Sequence, residues 1–345
     1  MKKAFLVVFV MMGIIMSGFH GTAMAQQQKP IELSFNLMMQ PTHLRYVGAI
    51  KPWIDELEKR TQGRVKIVPY FSATLSPLPE NYESAVTGVA DIAEAYVGLT
   101  PGRFPVSEIM NLPDIRPTCK NTSRVIWDIY KKFPEARKEF SDTHIIAIYC
   151  TGWQFLFTGK KPVRTMEDVK GLKVMSPAKT ISDTGRALGF TPVTVGLGDV
   201  YTAADKGVID GAVLPTDLLE GRKLAEVFHY GTRVSVGYNT FYLAMNKKKY
   251  DSLPADIKKA IDEVGGDHIV DLYAKIWLKL DEQGAKYAVE KEKFQFIDLS
   301  PAELARWEKA VKPVWDAKEA ELESKGLPGK KIIQELRANL EKYSK

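Results

Sequence analysis

The chain has 345 residues, with 48 Lys+Arg against 42 Asp+Glu and a formal charge of +6. A hydrophobic share of 45% and a charged share of 26% exclude a disordered chain, and the length allows roughly two or three domains. The positive charge is spread along the sequence with no block of five or six like charges, which argues against dedicated nucleic-acid binding. Two cysteines, Cys119 and Cys150, exclude a disulfide scaffold and a Cys-rich metal cluster.

The first 25 residues read as a secretory signal. Lys2 and Lys3 form the charged start, Ala4 to Phe19 the apolar stretch, and Ala23-Met24-Ala25 a small-x-small cleavage site. The apolar stretch is shorter than the roughly 20 residues that span a bilayer. The expected mature chain begins at Gln26, is exported to the periplasm, and carries +4 once both lysines are lost. That compartment permits Cys119 and Cys150 to pair, although Cys150 ends the strand-like run from His144, where a buried free thiol is equally ordinary.

Ile31 to Met38 alternates like a strand. His43 to Thr61 follows as a helix with Val47, Ile50, Ile54 and Leu57 on one face and Gly63 just past its end. Val65 to Tyr70 is a second strand, Glu80 to Thr87 a helix and Asp91 to Val97 a third strand. This alternation predicts an α/β fold with a mostly parallel sheet. One pattern occurs twice: Tyr82-x5-Gly88-Val89-x-Asp91 and Tyr201-x5-Gly207-Val208-x-Asp210. The echo predicts two lobes built from similar α/β units. In the second, Lys173 to Met175 and Thr191 to Val195 are strands, and Lys179 to Leu188 is a helix. Phe241 to Met245 is another strand. A helix then starts after Pro254 with Ile257, Ile261 and Val264 on its apolar stripe, and Gly265-Gly266 predicts a kink before the stripe resumes at Ile269. Chain crossings between lobes place a ligand cleft at their interface.

Catalytic signatures are absent: there is no Gly-x-Ser-x-Gly elbow and no P-loop. Gly196-Leu197-Gly198 sits between a strand and a helix, but Tyr201 occupies the third glycine position of a dinucleotide fingerprint, so a tight turn is the better reading. His43, His144, His229 and His268 lack metal-ligand spacing. The expectation is therefore a binding protein with no cofactor, no metal and no catalytic residue.

Five segments then carry a resemblance: Asp168-Val169-Lys170-Gly171-Leu172-Lys173-Val174, Ala187-Leu188-Gly189-Phe190-Thr191-Pro192-Val193, Asp199-Val200-Tyr201-Thr202-Ala203, Gly207-Val208-Ile209-Asp210-Gly211 and Tyr250-x-x-Leu253-Pro254. In order and spacing they resemble the solute receptors of TRAP (tripartite ATP-independent periplasmic) transporters. The resemblance implies a two-lobed periplasmic-binding-protein-like fold with a cleft and a long helix bracing both lobes. Lobe I is expected over 26–151 plus 240–279, and lobe II over 152–239 plus 280–345. It also implies capture of a small molecule by lobe closure and delivery to membrane permease subunits. A receptor feeding a membrane signalling sensor is the alternative.

The departures from the family pattern are specific. Relatives carry a carboxylate-clamping Arg directly after Gly-Leu-Lys-hydrophobic; here that position is Met175. A second basic contact upstream corresponds to the stretch Trp153-Gln154-Phe155-Leu156-Phe157. A polar residue before the Pro that follows Asp-Gly corresponds to Leu214. The resemblance thus implies a ligand with a substantial apolar or aromatic part that is still an acid. The ligand-facing candidates are Met175, Trp153, Phe155, Gln154 and Leu214, with Tyr96, Ser176, Lys179, Gln40 and Tyr238. Ser176 is expected to cap the helix from Lys179, and Lys179, Arg116 and His43 are the candidate replacements for the missing cation.

Overall fold

The computed structural model describes residues 29–117 and 119–344, and the segment read as a leader lies outside them. Eleven strands form two sheets: β1 (Ile31–Asn36), β2 (Val65–Tyr70), β3 (Ile92–Tyr96), β4 (Thr143–Cys150), β5 (Gln154–Thr158), β6 (Lys173–Met175), β7 (Thr191–Val193), β8 (Gly211–Pro215), β9 (Tyr230–Thr232), β10 (Thr240–Asn246) and β11 (Gln295–Ile297). The first sheet has the order β2-β1-β3-β10-β4 and the second β11-β9-β5-β8-β6-β7. In each, three parallel strands are followed by one antiparallel strand that arrives from elsewhere in the chain: β10 beside β3, and β5 beside β8. The two segments that exchange these strands are bonded to each other. Thr151 N–H donates to Asn239 O at 3.0 Å, and Asn239 N–H donates to Thr151 Oγ1 at 3.1 Å.

The repeated sequence pattern has a structural counterpart. Gly88 and Gly207 both end a helix with left-handed φ, +84° and +69°. Val89 and Val208 are exposed, whereas each Asp reaches back to a neighbouring parallel strand. Asp91 Oδ2 accepts the N–H of Ser34 at 2.8 Å, and Asp210 Oδ2 accepts that of Lys173 at 2.8 Å. The Asp therefore registers β3 on β1 in the first unit and β8 on β6 in the second.

Several expectations change. The stretch from His43 is a π-type turn, Tyr46–Ile50, followed by an α-helix, Lys51–Arg60. Pro52 has no N–H to give to the preceding turn, and the wider turn rotates the face. Val47 swings out to 51% exposure, and Trp53 takes a buried place with Ile50, Ile54 and Leu57. Gly265 adopts extended φ and ψ, so the predicted kink is a break between the helices Ala255–Val264 and Gly266–Glu292. The long helix Gly266–Glu292 packs on β4 at one end and, at the other, beside the short helix Leu218–Gly221 of the second unit. The helix Pro301–Ser324 lies on the helix Lys179–Leu188, but the last helix, Gly329–Lys342, lies on the helix Thr122–Lys132 of the first unit. There Lys342 and Tyr343 both bond Asp128. The assignment of 280–345 as a whole to the second lobe is thereby corrected for its final helix. Cys119 and Cys150 are buried free thiols, and burial raises the pKa of Cys119 to about 12.

Candidate functional site

The carboxyl ends of β1, β3 and β4 and the amino end of β10 point to one edge of the first sheet. The carboxyl ends of β6, β7, β8 and β9 and the amino end of β5 share one edge of the second. The short link from Cys150 to Gln154 leaves the first edge and enters the second, so the two edges face each other across a crevice. Ligands of open α/β sheets sit at such strand ends.

The first wall is aromatic and charged. Tyr96, Phe241 and Tyr149 are cross-strand neighbours on one face, and Glu94 lies on that face two residues before Tyr96. Tyr273 of the long helix stacks on Tyr149 at 3.5 Å, and Tyr149 lies over Phe241 at 5.4 Å. Arg45 is buried among them, its guanidinium 5.0 Å from the Phe241 ring centroid and 5.4 Å from that of Trp277. Its Nη1 reaches Glu94 Oε1 at 3.4 Å and the Tyr149 hydroxyl at 3.5 Å, both long. Glu94 Oε1 also accepts from the hydroxyls of Tyr149 and Tyr273. Burial pulls the Arg45 pKa down, but Glu94, then Tyr149, raise it further, so the guanidinium stays charged. Arg45 Nε, Trp277 Nε1 and Glu94 Oε2 are buried without a hydrogen-bond partner.

The second wall is apolar. Phe155 lies opposite Leu214, and Met175 is registered with Ala212, which puts Phe155, Leu214 and Met175 on one face of the sheet. All three are buried in one cluster. Trp153, half-buried, stacks on Phe155 at 5.8 Å and donates its indole N–H to Cys119 O across the junction at 3.0 Å. The polar groups of this side sit at its margin. Gln154 is fully buried with neither amide atom partnered, and pairs with Pro215, two residues before Asp217. Burial raises the Asp217 pKa to about 6 against the pull of Arg45. Asp281 of the long helix is pushed well above its ordinary range by burial, then by Asp217. A Cβ on Gly152 would sit 1.8 Å from Asp281 Oδ2, so only glycine lets that carboxyl reach the crossing segment. A cavity of about 450 Å3 at this junction is lined by Trp153, Phe155, Thr216, Trp277, Asp281 and Phe296, among others.

The sequence-derived candidates divide accordingly. Met175, Phe155 and Leu214 come together in one buried cluster with Trp153 packed against it, Trp153 and Phe155 also line the junction cavity, Gln154 neighbours Phe155 in β5, and Tyr96 lies 5.9 Å from Phe241. His43 adjoins Arg45, and its pKa is lowered to about 4 by burial, then by Arg45 and Arg222, so it is a neutral imidazole at pH 7. The remaining candidates sit elsewhere. Ser176 does not cap the helix from Lys179; Ala178 holds the cap position, with no side-chain bond. Lys179 is solvent-exposed and paired with Asp183. Arg116 pairs with Glu308 on the surface. Gln40 is exposed. The Tyr238 hydroxyl donates to Asp114 at 2.6 Å. Arg45, Glu94, Trp277 and Asp217 escaped the sequence reading. An Arg inside an otherwise apolar first turn was the one available signal, and nothing local separates it from Arg60.

The family model for bacterial extracellular solute-binding protein, family 7, matches residues 35–321. The fold is similar to a TRAP solute-binding protein of Rhodoferax ferrireducens crystallised with co-purified benzoate. That likeness has a TM-score of 0.83 and 29% identity over 91% of this chain and 98% of that one. It is also similar to a marine-metagenome TRAP solute-binding protein described as specific for aromatic acid ligands, in complex with metahydroxyphenylacetate. Here the TM-score is 0.84, with 26% identity over 91% of this chain and 100% of that one. In sequence it is 25% identical over 291 residues to the C4-dicarboxylate-binding periplasmic protein DctP of Rhodobacter capsulatus, covering 84% of this chain and 86% of that protein. Among the described residues no helix is long and apolar enough to cross a membrane.

Proposed function

The chain belongs to the solute-binding receptors of TRAP transporters, family 7 of the bacterial extracellular solute-binding proteins, and we propose that its crevice captures a small aromatic monocarboxylate. The observation that carries this is the second wall. Where relatives are expected to present cations and an amide, this chain presents Met175, Phe155 and Leu214 on one face, opposite an aromatic first wall. A flat ring gains burial and stacking there. A second carboxylate placed on Met175 would be buried without a partner, at a cost of several kcal/mol. The ligands bound by the Rhodoferax and metagenome proteins support the aromatic class.

In this reading the chain is exported by its leader, acts in the periplasm and performs no chemistry on the ligand. Two units, 26–151 with 240–279 and the final helix, and 152–239 with 280–324, hinge at the bonded crossing segments. The closed, loaded form docks on the membrane permease subunits. Calorimetric titration with benzoate, 3-hydroxyphenylacetate and succinate tests the ligand class. Aromatic acids are expected to bind and succinate not; tight succinate binding without aromatic binding would overturn it.

A further inference from the structure

The first wall holds two buried N–H donors with no acceptor, and they lie together. Arg45 Nε is one, and Trp277 Nε1 is the other, on the ring whose centroid is 5.4 Å from the guanidinium. Orphaned buried donors are rare and mark a missing partner. A partner that satisfies both needs two acceptor atoms, which a carboxylate has. We infer that Arg45, with the indole N–H of Trp277, anchors the ligand's carboxylate on the first wall. This rests on the acid-binding reading above and adds an orientation. The acid end points to the first unit, and the ring lies toward Phe155, Met175 and Leu214. That reverses the polarity implied by an Arg at the end of β6.

The other cations near the crevice fit less well. His43 is neutral, with its pKa held near 4 by burial and by Arg45 and Arg222. Arg222 is exposed. Arg233 borders the junction cavity but is about half exposed and already paired with Asp298 at 3.0 Å. Arg45 is held less firmly than its burial suggests, since both of its hydrogen bonds are 3.4 Å or longer. The acids acting on it are Glu94 and Asp217. Of the two, Glu94 bonds the guanidinium and is therefore the competitor for it, whereas Asp217 acts on it through its charge alone. Glu94 Oε1 already has the two tyrosine hydroxyls, so it remains satisfied when the guanidinium turns to a ligand.

The test uses the mature protein and one matched pair of probes, benzoate and its neutral isostere benzamide, titrated by calorimetry with melting curves on the same samples. The parent is expected to bind benzoate and to reject benzamide. Trp277→Phe keeps the ring and removes one donor; Arg45→Lys keeps the charge and removes the fork. Each should weaken benzoate by roughly 10- to 100-fold, the range for a hydrogen bond to a charged group, and narrow the acid-to-amide gap. Glu94→Gln removes the competitor and should tighten benzoate binding. Folded Arg45→Lys and Trp277→Phe proteins that bind benzoate like the parent, with the gap intact, would overturn the anchor. If Arg45→Lys fails to fold, Trp277→Phe and Glu94→Gln decide, and benzoate binding by Glu94→Gln that is no tighter counts against it. A parent that binds no aromatic acid instead removes the reading of the crevice on which the anchor rests.

Discussion

The wall contributed by the first unit holds a guanidinium, a carboxylate and two tyrosine hydroxyls in mutual contact, whereas the wall of the second holds three apolar side chains and keeps its polar groups at the margin. The two units share a strand order and even an Asp that registers the parallel strands. Their common architecture therefore does not set the chemistry of the crevice; the side chains at the strand ends do. A buried ionic wall couples its members, so losing one leaves another without its partner. An apolar wall is tolerant of shape and strict about charge.

If that contrast holds, removing a member of the first wall should produce the largest effect. Glu94→Ala leaves Arg45 buried with no carboxylate and two tyrosine hydroxyls with no acceptor. Breaking a buried pair in this way costs about 3–5 kcal/mol of stability. Chemical denaturation of parent and variant measures it. A loss below 1 kcal/mol, on the order of a surface pair, would mean that water reaches the cluster.

The second wall is broken by charge. Met175→Arg puts a cation where the surrounding cluster of Phe155, Leu214 and Leu219 offers no counter-charge. Affinity for an aromatic acid should fall by roughly 2 kcal/mol or more, and succinate should gain weak binding through the new cation. Titration of both proteins with both acids decides. Unchanged affinity for the aromatic acid would show that Met175 does not face the ligand.

The contrast between the walls also explains what the sequence could and could not reveal. The departure at Met175 could be read because its neighbours fix the alignment there, and the Asp91 and Asp210 echo was legible because its residues are near in sequence. The ionic wall was not. Arg45 meets Glu94 49 positions away and Tyr149 104 away, and Glu94 meets Tyr273 179 away. No local pattern encodes such a set; only the folded sheet, with β10 inserted between β3 and β4, brings it together. Lys179 misled for the same reason in reverse, since a cation close to Met175 in sequence points to solvent. Tyr238 looked like a cleft tyrosine, but its partner, Asp114, lies 124 positions away.

Trp153 separates packing from binding. It is half-buried, so Trp153→Ala should reduce stability less than the loss of the fully packed Phe155, yet weaken an aromatic ligand by roughly 1–3 kcal/mol. Melting curves and titrations on the same preparations give both numbers. A large drop in melting temperature with affinity intact would place its role in the junction with Cys119 O rather than on the ligand.

The last expected effect concerns the acid at the margin of the apolar wall. Burial raises the Asp217 pKa from 3.8 to about 6, so the folded protein holds this proton more tightly than the unfolded chain. The stability this confers is present in full below pH 3.8 and is lost as pH rises through about 6. His43 acts in the opposite sense: its pKa falls from 6.5 to about 4, so its cost appears as pH drops through that window. Glu139 and Asp114 are also raised, to about 7 and about 6, so the pH profile of the parent alone mixes several groups. The difference between the parent and Asp217→Asn isolates one. Relative to the variant, the parent should lose on the order of 2 kcal/mol of stability between pH 4 and pH 7. Denaturant unfolding at four or five pH values measures that difference. A difference that stays constant would mean Asp217 is ionised throughout. The margin of the second wall would then carry a charge near Arg45 at pH 4 as well as at pH 7, and burial would not set the protonation of the acid where the two walls meet.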